Sequence, residues 1–135
     1  MIRLLALDHV VFRTNKLDRM LHFYCEVLGC AVERTLPDGQ GLTQLRAGAA
    51  LIDIVTVDSK LGQAGGGPPS QVGRNVDHVC LQMDAVSEAD LLSYLDQHGI
   101  SHSDFEIRYG ADGFGRSVYL NDPEGNVIEL RPREH

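Results

Sequence analysis

The residues on which this chain could build chemistry are His9, Asp53, His78 and Glu129. The stretch LDHVVFRT at residues 7–14 returns as VDHVCLQM at residues 76–83, each reading aliphatic, Asp, His, Val and then apolar. The two histidines lie 69 residues apart. Asp53 in ALIDIVTV and Glu129 in NVIELRP lie 76 apart, each inside an aliphatic run. A carboxylate buried in such a run is costly unless it is paired or bound to a cation. Taken singly, each residue has a plainer use. His9 or His78 could be a hydrogen-bonded core histidine, Asp53 could cap a turn or pair with an arginine, and Glu129 could pair with Arg13 or Arg131. Taken as a repeated set, they share one explanation, a divalent metal. Imidazole nitrogen with carboxylate oxygen suits Zn, Ni, Fe, Mn or Co. Strands about 4.8 Å apart allow neighbouring side chains to reach one ion with bonds of roughly 2.0–2.2 Å. His22, His98, His102 and His135 have no repeat partner and are read as surface or helix positions, with His102 able to line a cavity.

The elements that must position these residues also repeat. The short run Leu7 to Arg13 is read as a strand. NKLDRMLHFYCEVLG follows as a helix, with Asn15 as its N-cap, Gly29 as its stop, and Leu17, Met20, Leu21, Tyr24 and Leu28 at helical spacing. CAVERTL, LTQLRAG and ALIDIVTV read as three strands separated by Pro-Asp-Gly and Ala-Gly turns. The second half opens with VDHVCLQM. SEADLLSYLDQHG follows as a helix with a capping-box-like Ser87 and Asp90 and a stop at Gly99. SHSDFEIR, GRSVYLND and NVIELRP are its three strands, with DGFG and DPEG as turns. Both halves therefore read β-α-β-β-β. The fold class is α+β, a single domain over residues 1–135 made of one module at about 5–58 and another at about 75–133. Between them, at about 59–74, KLGQAGGGPPSQVGRN carries glycines and prolines that cannot continue a helix or central strand, and it reads as a flexible connection. It lacks the spacing of a phosphate-binding loop. Alternation puts His9, Val11 and Arg13 on one face of the first strand and Val10 and Phe12 on the other. In the strand that opens the second half, His78, Cys80 and Gln82 lie opposite Val79 and Leu81. The aliphatic faces should pack on the following helices.

Composition narrows the classes of partner. A hydrophobic content of 43% suits a globular protein with a sizeable core. The net charge of −7, from 12 basic and 19 acidic residues, opposes binding driven by a nucleic-acid backbone or an anionic membrane surface. Cys25, Cys30 and Cys80 make no even disulfide framework and no CxxC pair, so they read as buried or inert thiols in a reducing compartment. MIRLLA is too short for the apolar core of a signal peptide, and no run approaches the roughly 20 apolar residues of a membrane span. The expected location is the cytoplasm.

LDHVVFRT, FYCEVLG, LIDIV, VDHVCLQ and NDPEGNVIEL together resemble the vicinal oxygen chelate superfamily, which includes glyoxalase I, bleomycin- and fosfomycin-resistance proteins and extradiol dioxygenases. The resemblance spans almost the whole chain. It implies paired βαβββ modules forming a metal-centred cup, a homodimer as the active form, and metal positions at His9, Asp53, His78 and Glu129. Glyoxalase I usually has Glu at the second position, so Asp53 departs from the pattern and could bind through water or leave a set of two histidines and one carboxylate.

The resemblance implies a metal-dependent lyase or isomerase of the glyoxalase type, acting on a small substrate that presents neighbouring oxygens. The metal would polarise a carbonyl, and Glu129, or Asp53 as its mirrored counterpart, would take a proton from the adjacent carbon. Arg13, Arg108 and Arg116 are candidates for an acidic substrate group, although a lone arginine is ordinarily a surface charge. One alternative is an Fe(II) ring-cleaving dioxygenase on His9, His78 and Glu129, with Tyr119 or His102 in support. Another is a drug-sequestering binding protein of the bleomycin-resistance kind, in which the metal positions tend to be lost.

Overall fold

The computed structural model describes residues 1–37 and 39–134. His135 and the Asp38 of the Pro-Asp-Gly turn lie outside the described residues. The chain divides into two compact units, the first running from Met1 to Ser70 and the second from Gln71 onward. Each unit follows the order β-α-β-β-β and holds one four-stranded sheet.

In the first unit, β1 (His9–Thr14) pairs in parallel with β4 (Ala50–Thr56), which pairs antiparallel with β3 (Leu42–Ala47), and β3 with β2 (Ala31–Thr35). Ile52, Ile54, Leu45 and Phe12 turn to one face and are buried. They meet Met20, Phe23, Tyr24 and Val27 of the helical segment, also buried, and the Phe12 and Tyr24 rings stack at 5.9 Å. Alternation therefore hands the opposite face to His9, Val11, Asp53 and Gln44, as register requires. Val11 aligns with Asp53, and Asp53 with Gln44.

The helical segment departs from the sequence reading. Its α-helical part, α1, covers only Leu17–Leu21, and His22–Val27 is wound as a wider π turn. An apolar repeat near 3.6 residues does not separate the two windings, so Phe23 and Val27 were missed as core positions. The N-cap is Lys16, not Asn15, and Lys16 N–H donates to Thr14 Oγ1 at 2.8 Å. Gly29 does end the segment, at φ +80°, with Cys30 N–H donating to Tyr24 O.

In the second unit, β5 (His78–Met83) pairs in parallel with β8 (Val127–Pro132), β8 antiparallel with β7 (Gly113–Asn121), and β7 with β6 (Glu106–Gly110). The helix α2 (Glu88–Gln97) starts where expected, with Ser87 accepting from Asp90 N–H at 3.1 Å, and Gly99 ends it at φ +69°. Two boundaries differ. SHSDFEIR is strand only from Glu106, with His102 making an isolated bridge to Leu120. DGFG is not wholly a turn, because Gly113, Phe114 and Gly115 already belong to β7. Two-residue hairpin turns are sharper than four turn-forming residues in a row suggest.

The glycine-rich segment is more than a bare connection. Arg13 donates to the carbonyls of Gly62 (3.1 Å), Gly66 (2.5 Å) and Gly67 (3.1 Å). Further along, Arg74 donates to Glu124 O (2.6 Å) and Asn126 Oδ1 (3.1 Å). No helix among the described residues is long and apolar enough to cross a membrane.

Candidate functional site

Register puts the four donors on the sheet faces turned away from the helices. In the first unit, His9 is half-exposed and Asp53 is only 3% exposed. Asp53 Oδ2 accepts from Gln44 Nε2 at 3.2 Å, while Oδ1 is buried without any hydrogen-bond partner. A buried carboxylate oxygen with no donor is an expensive arrangement that a bound cation would relieve. His9 Nδ1 lies 2.6 Å from Asp8 Oδ1. That contact, with attraction from Asp53 behind it, holds the His9 imidazole above its ordinary titration range.

The second unit carries the same device. His78 Nδ1 lies 2.8 Å from Asp77 Oδ2. Its other nitrogen, Nε2, lies 3.2 Å from Oε1 of Glu129, which is 6% exposed. A carboxylate on Nδ1 fixes the proton there and leaves the Nε2 lone pair facing outward, the arrangement ordinarily found at metal-ligating histidines. An Nε2 lone pair facing a carboxylate oxygen needs a proton or a cation between them. His78 Nε2 and Glu129 Oε1 would together hold such a cation.

Around this pair, Cys80 and Tyr119 align with Glu129 from the two neighbouring strands. The Tyr119 ring meets His78 edge-on at 5.3 Å and carries the Arg108 guanidinium over its face at 4.1 Å. Of the three thiols read as buried or inert, Cys25 and Cys30 are half-buried and Cys80 is exposed. Partial burial, then the charge and hydrogen bond of Glu129, push the Cys80 thiol up to about 11. A thiol so raised is little ionised near neutrality.

The structure thus brings His78 and Glu129 into contact and puts His9 and Asp53 on one face. Among the described residues, no three His, Cys, Asp or Glu side chains gather at metal-binding range, so the donors come as pairs. Sequence reasoning missed Asp8, Asp77 and Gln44. The repeated Asp-His dipeptide in LDHVVFRT and VDHVCLQM carried the signal for the first two. Gln44 had none, because its role depends on cross-strand register. Among the unrepeated histidines, His22 and His98 are exposed, and His102 is held by Asp96 Oδ1 (2.8 Å) and Ser103 O (2.7 Å). Of the candidate arginines, Arg13 holds the glycine-rich segment, Arg116 pairs with Glu88 on α2, and Arg108 donates to Ser117 O at 2.6 Å.

This repeated architecture matches the model of the Glyoxalase/Bleomycin resistance protein/Dioxygenase superfamily over residues 6–130, and the chain belongs to that family. It is 30% identical over 126 residues to the glyoxalase domain-containing protein RDO1 of Mycosarcoma maydis, covering 93% of this chain and 66% of that protein. Among solved structures, the virulence protein STM3117 of Salmonella typhimurium is 25% identical with a TM-score of 0.76, covering 98% of this chain and all of that one. A lactoylglutathione lyase of Agrobacterium tumefaciens shares the fold at 21% identity and a TM-score of 0.65, covering 94% of this chain and 92% of that one.

Proposed function

We propose that the protein is a metal-dependent lyase or isomerase of the glyoxalase type, acting on a small molecule with neighbouring oxygens. The reading rests on one observation. Each unit aims a histidine whose Nδ1 is held by the preceding aspartate, and in the second unit the free Nε2 faces Glu129 at 3.2 Å. The orphaned Oδ1 of Asp53 supports the same reading from the first unit. The proposed metal ligands are His9, Asp53, His78 and Glu129, with a homodimer as the active form.

A bound divalent cation would supply Lewis acidity toward the substrate's paired oxygens. The chain's own residues do the rest. Glu129, almost wholly removed from water, accepts the proton from the carbon beside the carbonyl and returns it to the neighbouring atom. Cys80 stands opposite Glu129 on the neighbouring strand β5. Asp77 and Asp8 hold the two rings. Tyr119 stands opposite Glu129 on the other neighbouring strand. A second reading, an Fe(II) ring-cleaving dioxygenase, draws support from Tyr119, whose ring meets His78 and whose hydroxyl could act on a phenolic substrate.

The test is the metal content of the chain purified without chelator, by elemental mass spectrometry, for wild type and Glu129→Ala. About one Ni, Zn, Mn or Co per chain, lost in the variant, supports the lyase or isomerase and directs assays to proton exchange beside a carbonyl. Iron with oxygen uptake on catechols supports the dioxygenase. No metal after reconstitution sinks both in favour of a binding protein.

A further inference from the structure

The second sheet carries a buried cation that the mechanism above does not use. Arg131 follows Glu129 by two residues on β8, so both side chains leave the same face, with Cα atoms about 7 Å apart. Arg131 is 8% exposed. Its guanidinium lies across the β6–β7 hairpin, where a Cβ at Gly110 or Gly115 would collide with it. The two glycines are the floor that admits it. One of its five donors goes to Gly113 O. Its other nitrogens have no hydrogen-bond partner among the described residues and are not sealed from solvent.

No carboxylate among the described residues pairs with Arg131. The nearby ones are engaged elsewhere: Glu106 with Arg108 at 3.3 Å, Asp112 with Gln82 at 2.8 Å, and Glu129 with His78 at 3.2 Å. A largely buried guanidinium without a counter-ion is unfavourable, and its open donors match an oxyanion in fork geometry. Gln82 flanks it on the neighbouring strand β5, in register with Arg131. The same electrostatic field reaches Cys80, where Arg131 pulls against the rise of the thiol.

We propose that Arg131, on its floor of glycines, binds a carboxylate group of the substrate. The substrate is then an acid whose carboxylate is additional to the pair of oxygens presented at Glu129. This proposal rests on the proposed function only in taking the His78–Glu129 face as the substrate face. Arg131 binds and orients, and takes no part in proton transfer.

The experiment is an amide NMR titration of the full chain with succinate and with its neutral diamide, succinamide, as purified and again after chelator treatment. Succinate should shift the amides of Gly110, Gly113, Gly115 and Arg131 and saturate, with or without chelator, while succinamide should not. Arg131→Gln should weaken succinate binding about tenfold or more, and Arg131→Lys, which keeps the charge but loses the fork, should weaken it less than Arg131→Gln does. Equal binding of succinamide, shifts confined to other regions, or unchanged affinity in Arg131→Gln would overturn the proposal. The comparison of the two probes on wild type holds even if the variant folds poorly. Succinate binding at Arg131 in a chain that takes up no metal would sink the proposed function and leave this site standing. Metal uptake without succinate binding would do the reverse.

Discussion

His78 is gripped at both ends, with Nδ1 2.8 Å from Asp77 Oδ2 and Nε2 3.2 Å from Glu129 Oε1. The first contact sets which nitrogen is free, and the second sets what that nitrogen faces. Asp77 is itself 97% exposed at its side chain, so it contributes little to packing. Asp77→Asn should therefore leave folding stability nearly unchanged while weakening metal affinity roughly 10–100-fold. Competition against a chromophoric chelator reads that affinity. An unchanged value would reduce the Asp77 contact to an incidental surface ion pair.

Asp53 separates stability from binding in the opposite way. Its Oδ1 is buried with no donor, so the carboxylate costs stability whenever no cation is present. Asp53→Asn keeps the shape and removes the charge. The metal-free variant should be as stable as the metal-free wild type or more so, by up to about 1–3 kcal/mol in urea unfolding. The stabilisation gained on adding metal should shrink in the variant. A metal-free variant markedly less stable than wild type would mean that Asp53 serves the fold alone.

The architecture was legible because it is written twice. Two Asp-His strands, two helices ended by Gly29 and Gly99, and two carboxylates in aliphatic runs fix the order of elements without any knowledge of contacts. Alternation also gave the correct faces, with Phe12 and Ile52 inward and His9 and Asp53 on the other side. What stayed hidden depends on contacts across strands. Gln44 supports Asp53 only because the register of β3 on β4 brings them opposite. Arg131 looked like a possible partner for Glu129, yet it reaches over the hairpin to Gly113 O. The π turn escaped because its apolar spacing imitates that of an α-helix.

Cys30 gives a pH dependence whose direction follows from burial. Desolvation, with a smaller effect from Cys25, raises its thiol from 9.0 to about 11. Between those values the unfolded chain releases the proton and the folded chain keeps it, so rising pH favours unfolding. The stability contributed by the neutral thiol should thus be complete below about pH 9 and decline toward pH 11. Cys30→Ala should flatten that part of the urea-midpoint profile. Iodoacetamide should label Cys30 slowly at pH 8 and much faster near pH 11, and rapid labelling at pH 8 would contradict the assigned burial.

The turn between β7 and β8 decides where Glu129 begins its course, and Asp122 holds that turn. Its Oδ1 accepts from the backbone N–H groups of Glu124 and Asn126, both at 2.9 Å, and Oδ2 accepts from Asn126 Nδ2 at 2.8 Å. Asp122 is 5% exposed, so losing the carboxylate leaves largely buried donors unsatisfied. Asp122→Ala should cost about 1–3 kcal/mol in urea unfolding. Gly125, at φ +83°, closes the same turn. If the cost of Asp122→Ala is purely local, metal affinity should stay unchanged. If the turn sets the start of β8, affinity should fall along with stability, because Glu129 would lose its alignment with Cys80 and Tyr119. The second outcome is expected, since only two residues, Asn126 and Val127, separate the turn glycine from the buried stretch that carries Glu129.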